Sequence, residues 1–268
     1  MHIIGQQCYH LWKKNKVSKV ALIVETRRYK ALPFVLKNVM QNLSDEWLLQ
    51  IFHGNKNLDY IKNFVEKDEF LTKIKNKITF TNLNIDEISA DDSSLEIRLT
   101  EKFWNDVIGD TVLYFECDSM LCPTSKYKVD DFIHFDYIGG YWGTEKYPLD
   151  EEYPVVMNGG LSLRKKDYML NIIKTNLKPY LDRGDNPCED YFVSSQIRGE
   201  RPTSKEVRNF SIDCGCIEPL DMKAPFGVHK PWGIGKHGHG QYYDKIKELC
   251  PEIEELKSLQ EEIQWWEE

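Results

Sequence analysis

Two carboxylate side chains two residues apart, Glu116 and Asp118, directly follow the apolar run 111–115. Hard cations such as Mg²⁺ and Mn²⁺ prefer oxygen ligands and keep positions open for phosphate oxygens. If the chain turns after the run, both carboxylates reach one divalent cation. Such a pair is also common in solvated loops, and the position behind an apolar strand is what favours a metal site here.

A second acidic pair, Glu189 and Asp190, follows Pro187 at the start of a predicted helix. Acidic residues in a first helical turn ordinarily cap the helix and interact with its dipole. The functional alternative is that one of them is a general base. This segment alone favours the cap.

Late in the chain, His229 and Lys230 lie in the segment PFGVHKPWG. A histidine there suits a metal or a phosphate, and a lysine pairs with phosphate charge. The alternative is an ordered loop with packed aromatic residues. For His237 and His239 a flexible Gly/His loop is favoured over a metal pair.

The segment Asn158-Gly159-Gly160 carries paired glycines. Glycine lets the backbone approach a ligand closely and present N–H donors. The alternative, which the local sequence favours, is a hairpin turn in which glycine adopts positive φ.

The elements that must position these residues are short apolar runs, predicted as strands at 20–25, 47–53, 78–83 and 111–115. Helical periodicity at 33–42, 57–65 and 95–107 separates them. Strands alternating with helices predict a largely parallel sheet covered by helices. Such sheets bind ligands beyond the carboxyl ends of their strands, which points to residues 25–27 and 116–119.

Composition excludes several classes of protein. The chain has 268 residues, 41% hydrophobic residues and a net charge of −8, which argue against disorder and against a general nucleic-acid surface. No apolar run reaches the ~18 residues of a membrane span, and the N-terminus does not fit a signal peptide. Seven cysteines without a CxxC pair indicate reduced thiols in a cytoplasmic protein. The GxxxxGK[ST], GxGxxG, HExxH and GxSxG motifs are absent.

Six segments in order resemble the glycosyltransferases of the GT-A type: VALIVETR, FWNDVIGDTVLYFECDS, FDYIGGYWG, VMNGGLSLRKKDYM, CEDYFVSS and PFGVHKPWG. More narrowly they resemble a glycosyltransferase-like domain family of formerly unknown function, found in bacteria, fungi and large DNA viruses. The resemblance covers residues 18–235. It implies an α/β fold: a GT-A-like (Rossmann-like) mixed, mainly parallel sheet flanked by helices, here with a C-terminal helical tail.

The resemblance also implies a nucleotide-diphosphate sugar donor, a glycan or other hydroxyl acceptor, and Mn²⁺ or Mg²⁺. The implied metal ligands are Asp118, Glu116 and His229, with Glu116 a departure from the usual aspartate. The implied donor-binding residues are Glu25, Thr26, Arg27, Asn158, Gly159, Gly160 and Lys230. An inverting enzyme takes its base from the acidic pair, and Asp190 is the preferred candidate, with Glu189 second. A retaining enzyme needs no such base.

We therefore expect a metal-dependent, inverting glycosyltransferase in the cytoplasm, or in the host cytoplasm if the chain is viral. One alternative is an inactive nucleotide-sugar-binding or scaffold protein, favoured by the glutamate at position 116. Another is metal-dependent phosphodiester or nucleotide hydrolysis, which lacks the extra carboxylates of a two-metal site. Tyr141, Trp142 and Trp232 are candidates for stacking on sugars, although simple packing is favoured.

The expected organisation is one catalytic domain, 1–240, followed by an acidic helical tail, 241–268. Within the domain, 18–120 is the nucleotide-binding half and 121–240 the acceptor and metal half. Pro251 predicts two helices in the tail, since proline is tolerated in a first helical turn but not mid-helix. Packing of the tail on the domain is favoured over a homodimer contact.

Overall fold

The structure is a computed structural model that describes residues 18–88, 97–141, 156–184, 188–233 and 240–260. Within these residues nine strands form one sheet in the order β3-β2-β1-β4-β7-β6-β8-β9-β5. The strands are β1 (Lys19–Glu25), β2 (Trp47–His53), β3 (Ile78–Asn82), β4 (Thr111–Phe115), β5 (Ser119–Leu121), β6 (Tyr137–Tyr141), β7 (Met157–Lys165), β8 (Ser211–Asp213) and β9 (Gly227–His229).

The helices lie between and after these strands. They are α1 (Leu32–Gln41), α2 (Leu58–Lys67), α3 (Glu69–Lys73), α4 (Glu101–Asp106), α5 (Lys166–Ile172), α6 (Lys178–Asp182), α7 (Glu189–Ser195), α8 (Ser204–Phe210), α9 (Tyr243–Leu249) and α10 (Ile253–Ser258). A π-helical turn, Ile173–Leu177, joins α5 to α6. Proline in the first turn of α1 fits that position, because its missing N–H has no partner there anyway.

The four predicted strands form the parallel part of the sheet. β1 pairs in parallel with β2 and β4, and β2 pairs in parallel with β3. Residues 20–23 of β1 are fully buried, as expected for a strand covered by helices on both faces. The predicted mixed, mainly parallel α/β fold is confirmed.

The second half of the chain adds antiparallel returns to the same sheet. β7 runs antiparallel to β4 and to β6, and β9 runs antiparallel to β5. β8 pairs in parallel with β9, which places Asp213 beside His229. These returns bring residues after 156 to the carboxyl ends of β1 and β4. The division at residue 120 stays a prediction, since both halves contribute strands to one sheet.

The part of the tail that the structure describes, 241–260, packs on the chain's own core, as predicted. α9 ends at Leu249 and α10 begins at Ile253, so the break falls at Pro251. Ile246, Ile253 and Leu256 are fully buried in the core cluster. A homodimer contact through the tail stays a prediction.

The stacking candidates meet different outcomes. Tyr141 is 3% exposed, which leaves no ring face for a sugar, and Trp232 is half-buried. Trp142, His237 and His239 lie outside the described residues. None of the helices in the described ranges has the length and apolar character that a membrane crossing requires.

Candidate metal and donor site

Three side chains predicted as metal ligands converge at the carboxyl end of β4. Glu116, Asp118 and His229 each offer one ligand atom, and these atoms lie within 4.8 Å of one another. His229 Nε2 is 3.1 Å from Asp118 Oδ1 and 3.5 Å from Glu116 Oε2. Two carboxylates and an imidazole are a donor set that divalent metals accept. We call these three residues the metal triad. Glu116 takes part in it although the resemblance leads one to expect aspartate at this position.

The triad fits a cation because its buried atoms lack other partners. His229 Nε2 and Asp118 Oδ1 are buried and make no hydrogen bond with any described residue, although they face each other. Buried polar atoms are ordinarily paired, and leaving them unpaired is costly. A divalent cation between them would satisfy both atoms.

Short backbone contacts hold the turn that carries the two carboxylates. Ser119 N donates to Glu116 O at 3.0 Å, and Lys230 N donates to Asp118 O at 3.0 Å. Glu116 N donates to Gly160 O at 2.9 Å. His229 enters the site because Ser119 and His229 are register partners in the β5–β9 pair.

Asp213, which sequence reasoning missed, orients the histidine. Its Oδ1 lies 2.5 Å from His229 Nδ1, and the side chain is fully buried at the end of β8. A carboxylate on the far nitrogen of a ligating histidine fixes the ring and leaves Nε2 toward the metal. No local signal marks Asp213, since it lies in a three-residue strand 16 positions from its partner.

The electrostatics keep both carboxylates of the triad ionised. Burial opposes charge on Glu116 and Asp118, but His229 and Lys230 outweigh it and hold the pKa of each carboxyl below its usual range. Burial also opposes charge on His229, yet Asp118 and Asp213 hold the pKa of His229 well above its usual range. An added cation would therefore displace a proton from the imidazole.

Lys230 stands at the exposed side of the triad. Its Nζ lies 3.4 Å from Asp118 Oδ2, and its side chain is 30% exposed. Its backbone has a positive φ of 44°, a strained conformation of the kind that clusters at ligand sites. A partly exposed ammonium beside a metal triad is placed to meet phosphate oxygens.

The paired glycines lie inside strand β7, so the hairpin-turn prediction is wrong. A Cβ on Gly160 would lie 2.4 Å from the His229 ring, and one on Gly159 would lie 2.8 Å from Asp190 Oδ1. Glycine is required here by close approach rather than by positive φ. The two N–H groups donate to Asn158 Oδ1 and Asp190 Oδ1, at 2.7 and 2.9 Å, so they are used within the chain.

The acidic pair divides into two environments. Asp190 is half-buried and accepts hydrogen bonds from Gly159 N and, at 3.4 Å, from Asn158 Nδ2. Burial and the neighbouring Glu189 charge raise the pKa of Asp190 to about 7. Glu189 is 1% exposed and forms ion pairs with Arg164 and, at 3.1 Å, with Arg98.

Arg98 and Arg164 are further residues that sequence reasoning missed. Arg98 Nη1 also lies 3.2 Å from Glu116 Oε1, so it connects the metal triad to Glu189. Arg164 is fully buried and donates to Gly159 O at 3.1 Å. No local pattern marks either arginine as buried, and only the packing shows the network.

The residues after β1 lie beside the metal turn but are largely used within the chain. Arg27 makes a bidentate contact with Glu25, at 3.0 and 2.8 Å. Cys117 Sγ donates to Glu25 Oε2 at 3.3 Å, since burial and the Glu25 charge raise the pKa of the Cys117 thiol well above its usual range. Thr26 Oγ1 accepts from Ile88 N at 2.9 Å. Arg27, at 39% side-chain exposure, is the one of these three donor candidates with substantial access to a ligand.

The fold defined by this sheet and its helices is that of the GT-A glycosyltransferases. Residues 77–229, more than half of the chain, match the family described as "Protein of unknown function (DUF5672)", and the chain belongs to that family. The curated proteins contain no match to this sequence.

Solved structures show the same architecture at low sequence identity. An active-site mutant of LgtC matches with a TM-score of 0.52 and 14% identity, over 89% of this chain and 95% of LgtC. The apo-form glycosyltransferase GlyE of Streptococcus pneumoniae TIGR4 matches with a TM-score of 0.51 and 11% identity, over 90% of this chain. This chain spans 64% of the GlyE chain. At these identities the likeness concerns the fold.

Proposed function

We propose that this chain is a glycosyltransferase that moves a sugar from a nucleotide-diphosphate sugar to an acceptor hydroxyl. The observation that carries the proposal is the triad of Glu116, Asp118 and His229 at the carboxyl end of β4 in a GT-A fold. Ligands of open α/β sheets bind at that edge. One of the similar structures, GlyE, is named as a glycosyltransferase, which supports the same reaction class.

In this proposal the triad would hold Mn²⁺ or Mg²⁺, with Asp213 orienting His229. When bound, the metal would neutralise charge on the diphosphate of the donor. Lys230 adds positive charge on the exposed side of the same site. Arg27, with 39% of its side chain exposed, is the donor candidate at the end of β1 that a ligand can reach, while Glu25 and Thr26 lie buried beside it.

We assign Asp190 as the general base of an inverting reaction. Its carboxylate accepts the proton of the acceptor hydroxyl while the acceptor oxygen bonds to the anomeric carbon and the bond to the diphosphate breaks. A pKa of about 7 suits this role, because a base acts best near the working pH. Glu189 is left as a positioning residue, since both buried arginines hold its carboxylate.

The first experiment is calorimetric titration of the protein with UDP-, GDP- and dTDP-sugars, with and without Mn²⁺. Metal-dependent binding of at least one donor is expected. Lack of binding under every condition would overturn the proposal. Glu116→Gln and Asp118→Asn are expected to abolish the increase in donor binding that Mn²⁺ produces.

A second experiment tests the base and the stereochemistry. Asp190→Asn is expected to keep donor binding and lose transfer, whereas the control Asp182→Asn, an exposed aspartate of α6 paired with Lys178, keeps both. NMR of the product reports the anomeric configuration. A product with retained configuration, or an active Asp190→Asn protein, would contradict this assignment.

We further propose that residues 1–240 carry the catalytic residues, with the tail helices packed against them, and that the protein acts in the cytoplasm. The described cysteines form no disulfide bond, which agrees with a reducing compartment. Fractionation of cells that produce the full chain tests the compartment.

A further inference from the structure

Five residues form a closed ring of contacts at the carboxyl ends of β1 and β4. We call this set the tail ring: Glu25, Arg27, Tyr29, Gln260 and Cys117. Arg27 pairs with Glu25 and lies over the Tyr29 ring, with Cζ 4.4 Å from the centroid. The Tyr29 hydroxyl donates to Gln260 Oε1 at 2.9 Å. Gln260 Nε2 donates to Cys117 O at 3.2 Å, and the Cys117 thiol closes the ring on Glu25.

The amide of Gln260 has one orientation that satisfies its surroundings. Its nitrogen faces the carbonyl oxygens of Cys117 and Leu256, each at 3.2 Å, and a carbonyl only accepts. Its oxygen faces the Tyr29 hydroxyl, which donates. Both N–H bonds and one acceptor position are therefore used, which fixes a half-buried side chain just beyond α10.

The contact with Cys117 completes the support of the turn that carries two metal ligands. The three carbonyl groups of residues 116–118 each accept a hydrogen bond: from Ser119 N, from Gln260 Nε2 and from Lys230 N. Two of these donors are backbone groups of β5 or of the residue after β9. The middle one is a side chain 143 positions away in the tail.

The geometry points to Gln260 as a positioning residue of the donor site: we propose that the tail holds the Cys117 carbonyl, and with it Glu116 and Asp118, in the arrangement that binds a divalent metal. This inference rests on the proposed function. It makes the docked tail, α9 to Gln260, part of the donor site.

Mn²⁺ titration of the full chain by calorimetry tests the proposal without a turnover assay. Gln260→Ala is expected to lower Mn²⁺ affinity about two- to tenfold, the factor that one hydrogen bond of ordinary net strength provides. Tyr29→Phe removes the hydroxyl that donates to the Gln260 amide oxygen, and it is likewise expected to lower Mn²⁺ affinity. The matched control is Gln241→Ala, because Gln241 is a tail glutamine that donates to a different carbonyl, Cys216 O, at 3.0 Å. It is expected to leave Mn²⁺ affinity unchanged.

Melting temperatures of the three variants separate positioning from general loss of stability. Equal Mn²⁺ affinity in Gln260→Ala and Gln241→Ala would overturn the inference, and so would tighter binding, which would make Gln260 an obstruction. If Gln260→Ala fails to fold, Tyr29→Phe decides. If the wild-type protein binds no Mn²⁺, the metal-dependent function fails together with the inference; if wild type binds and Gln260→Ala is unaffected, the inference alone fails.

Discussion

Replacing Asp213 by asparagine removes a charge from the far side of the metal triad while keeping the size of the side chain. The carboxylate contacts His229 Nδ1 at 2.5 Å and is fully buried. As a carboxylate it accepts from Nδ1–H, which leaves Nε2 free of a proton for the metal. An asparagine amide that donates to Nδ1 would place the proton on Nε2 and block ligation.

The expected magnitude follows from the role of such outer partners. Their loss typically lowers metal affinity about 10- to 100-fold, which corresponds to roughly 1.4–2.8 kcal/mol. The second oxygen of Asp213 has no hydrogen-bond partner among the described residues. In the other orientation of the asparagine, the amide oxygen would keep the contact with Nδ1, and the N–H₂ would lie at that second position without a partner, at a cost to folding of about 1–3 kcal/mol.

Calorimetric titration of Mn²⁺ measures the first effect and urea unfolding the second. The control is Asp110→Asn. Asp110 lies just before β4, at the end of the strand away from the metal triad, and accepts hydrogen bonds from Ser18 N and Ser18 Oγ, each at 3.1 Å. It is expected to leave Mn²⁺ affinity unchanged. A folded Asp213→Asn protein that binds Mn²⁺ as tightly as wild type would refute the role of Asp213.

Four further predictions concern the proposed base and its surroundings. Transfer is expected to fall as pH falls through about 7, the raised pKa of Asp190, because the base must be deprotonated, and a pH–rate profile without this limb would contradict the assignment. Since that pKa lies above the usual 3.8, the folded state binds the proton of Asp190 more tightly than the unfolded state does. Stability measured by thermal unfolding should therefore decrease as the pH rises from 3.8 to about 7, and this decrease should be absent in Asp190→Asn. Gly160→Ala should lower Mn²⁺ affinity by pushing the His229 ring, whereas Gly159→Ala should lose transfer and keep Mn²⁺ binding; equal loss of Mn²⁺ binding in both would argue against separate roles. Glu189→Ala leaves two buried arginines without their shared carboxylate and should destabilise the fold by about 3–5 kcal/mol in urea, and a change near zero would show that the network contributes little.

Sequence reasoning predicted most of the parallel sheet because its information is local. The apolar runs at 47–53 and 111–115 coincide with β2 and β4, and those at 20–25 and 78–83 differ from β1 and β3 by one residue. A strand buried on both faces needs a continuous apolar run whatever its partners are. The rule for carboxyl ends then placed Glu116 and Asp118 at the site before any partner strand was known.

The acidic pair shows where local reasoning stopped. Glu189 and Asp190 are adjacent in sequence and similar in chemistry, so their order as candidate bases depended on one helical position. Two arginines from different elements hold Glu189, while β7 presents glycine to Asp190. These contacts separate the pair, and they belong to the packing of α7 on the sheet.

By itself, then, the sequence determined the four parallel strands and the polar turn after β4, because hydrophobic periodicity and polar strand ends depend on near neighbours, and the resemblance to a family added His229 to the site. Only the tertiary structure decided which distant residues support them. Asp213 and Gln260 reach the site through the antiparallel returns of the sheet and the docking of the tail. The residues next to Asp213 or Gln260 in the sequence do not indicate which distant group each will contact, since strand order and register set that partner.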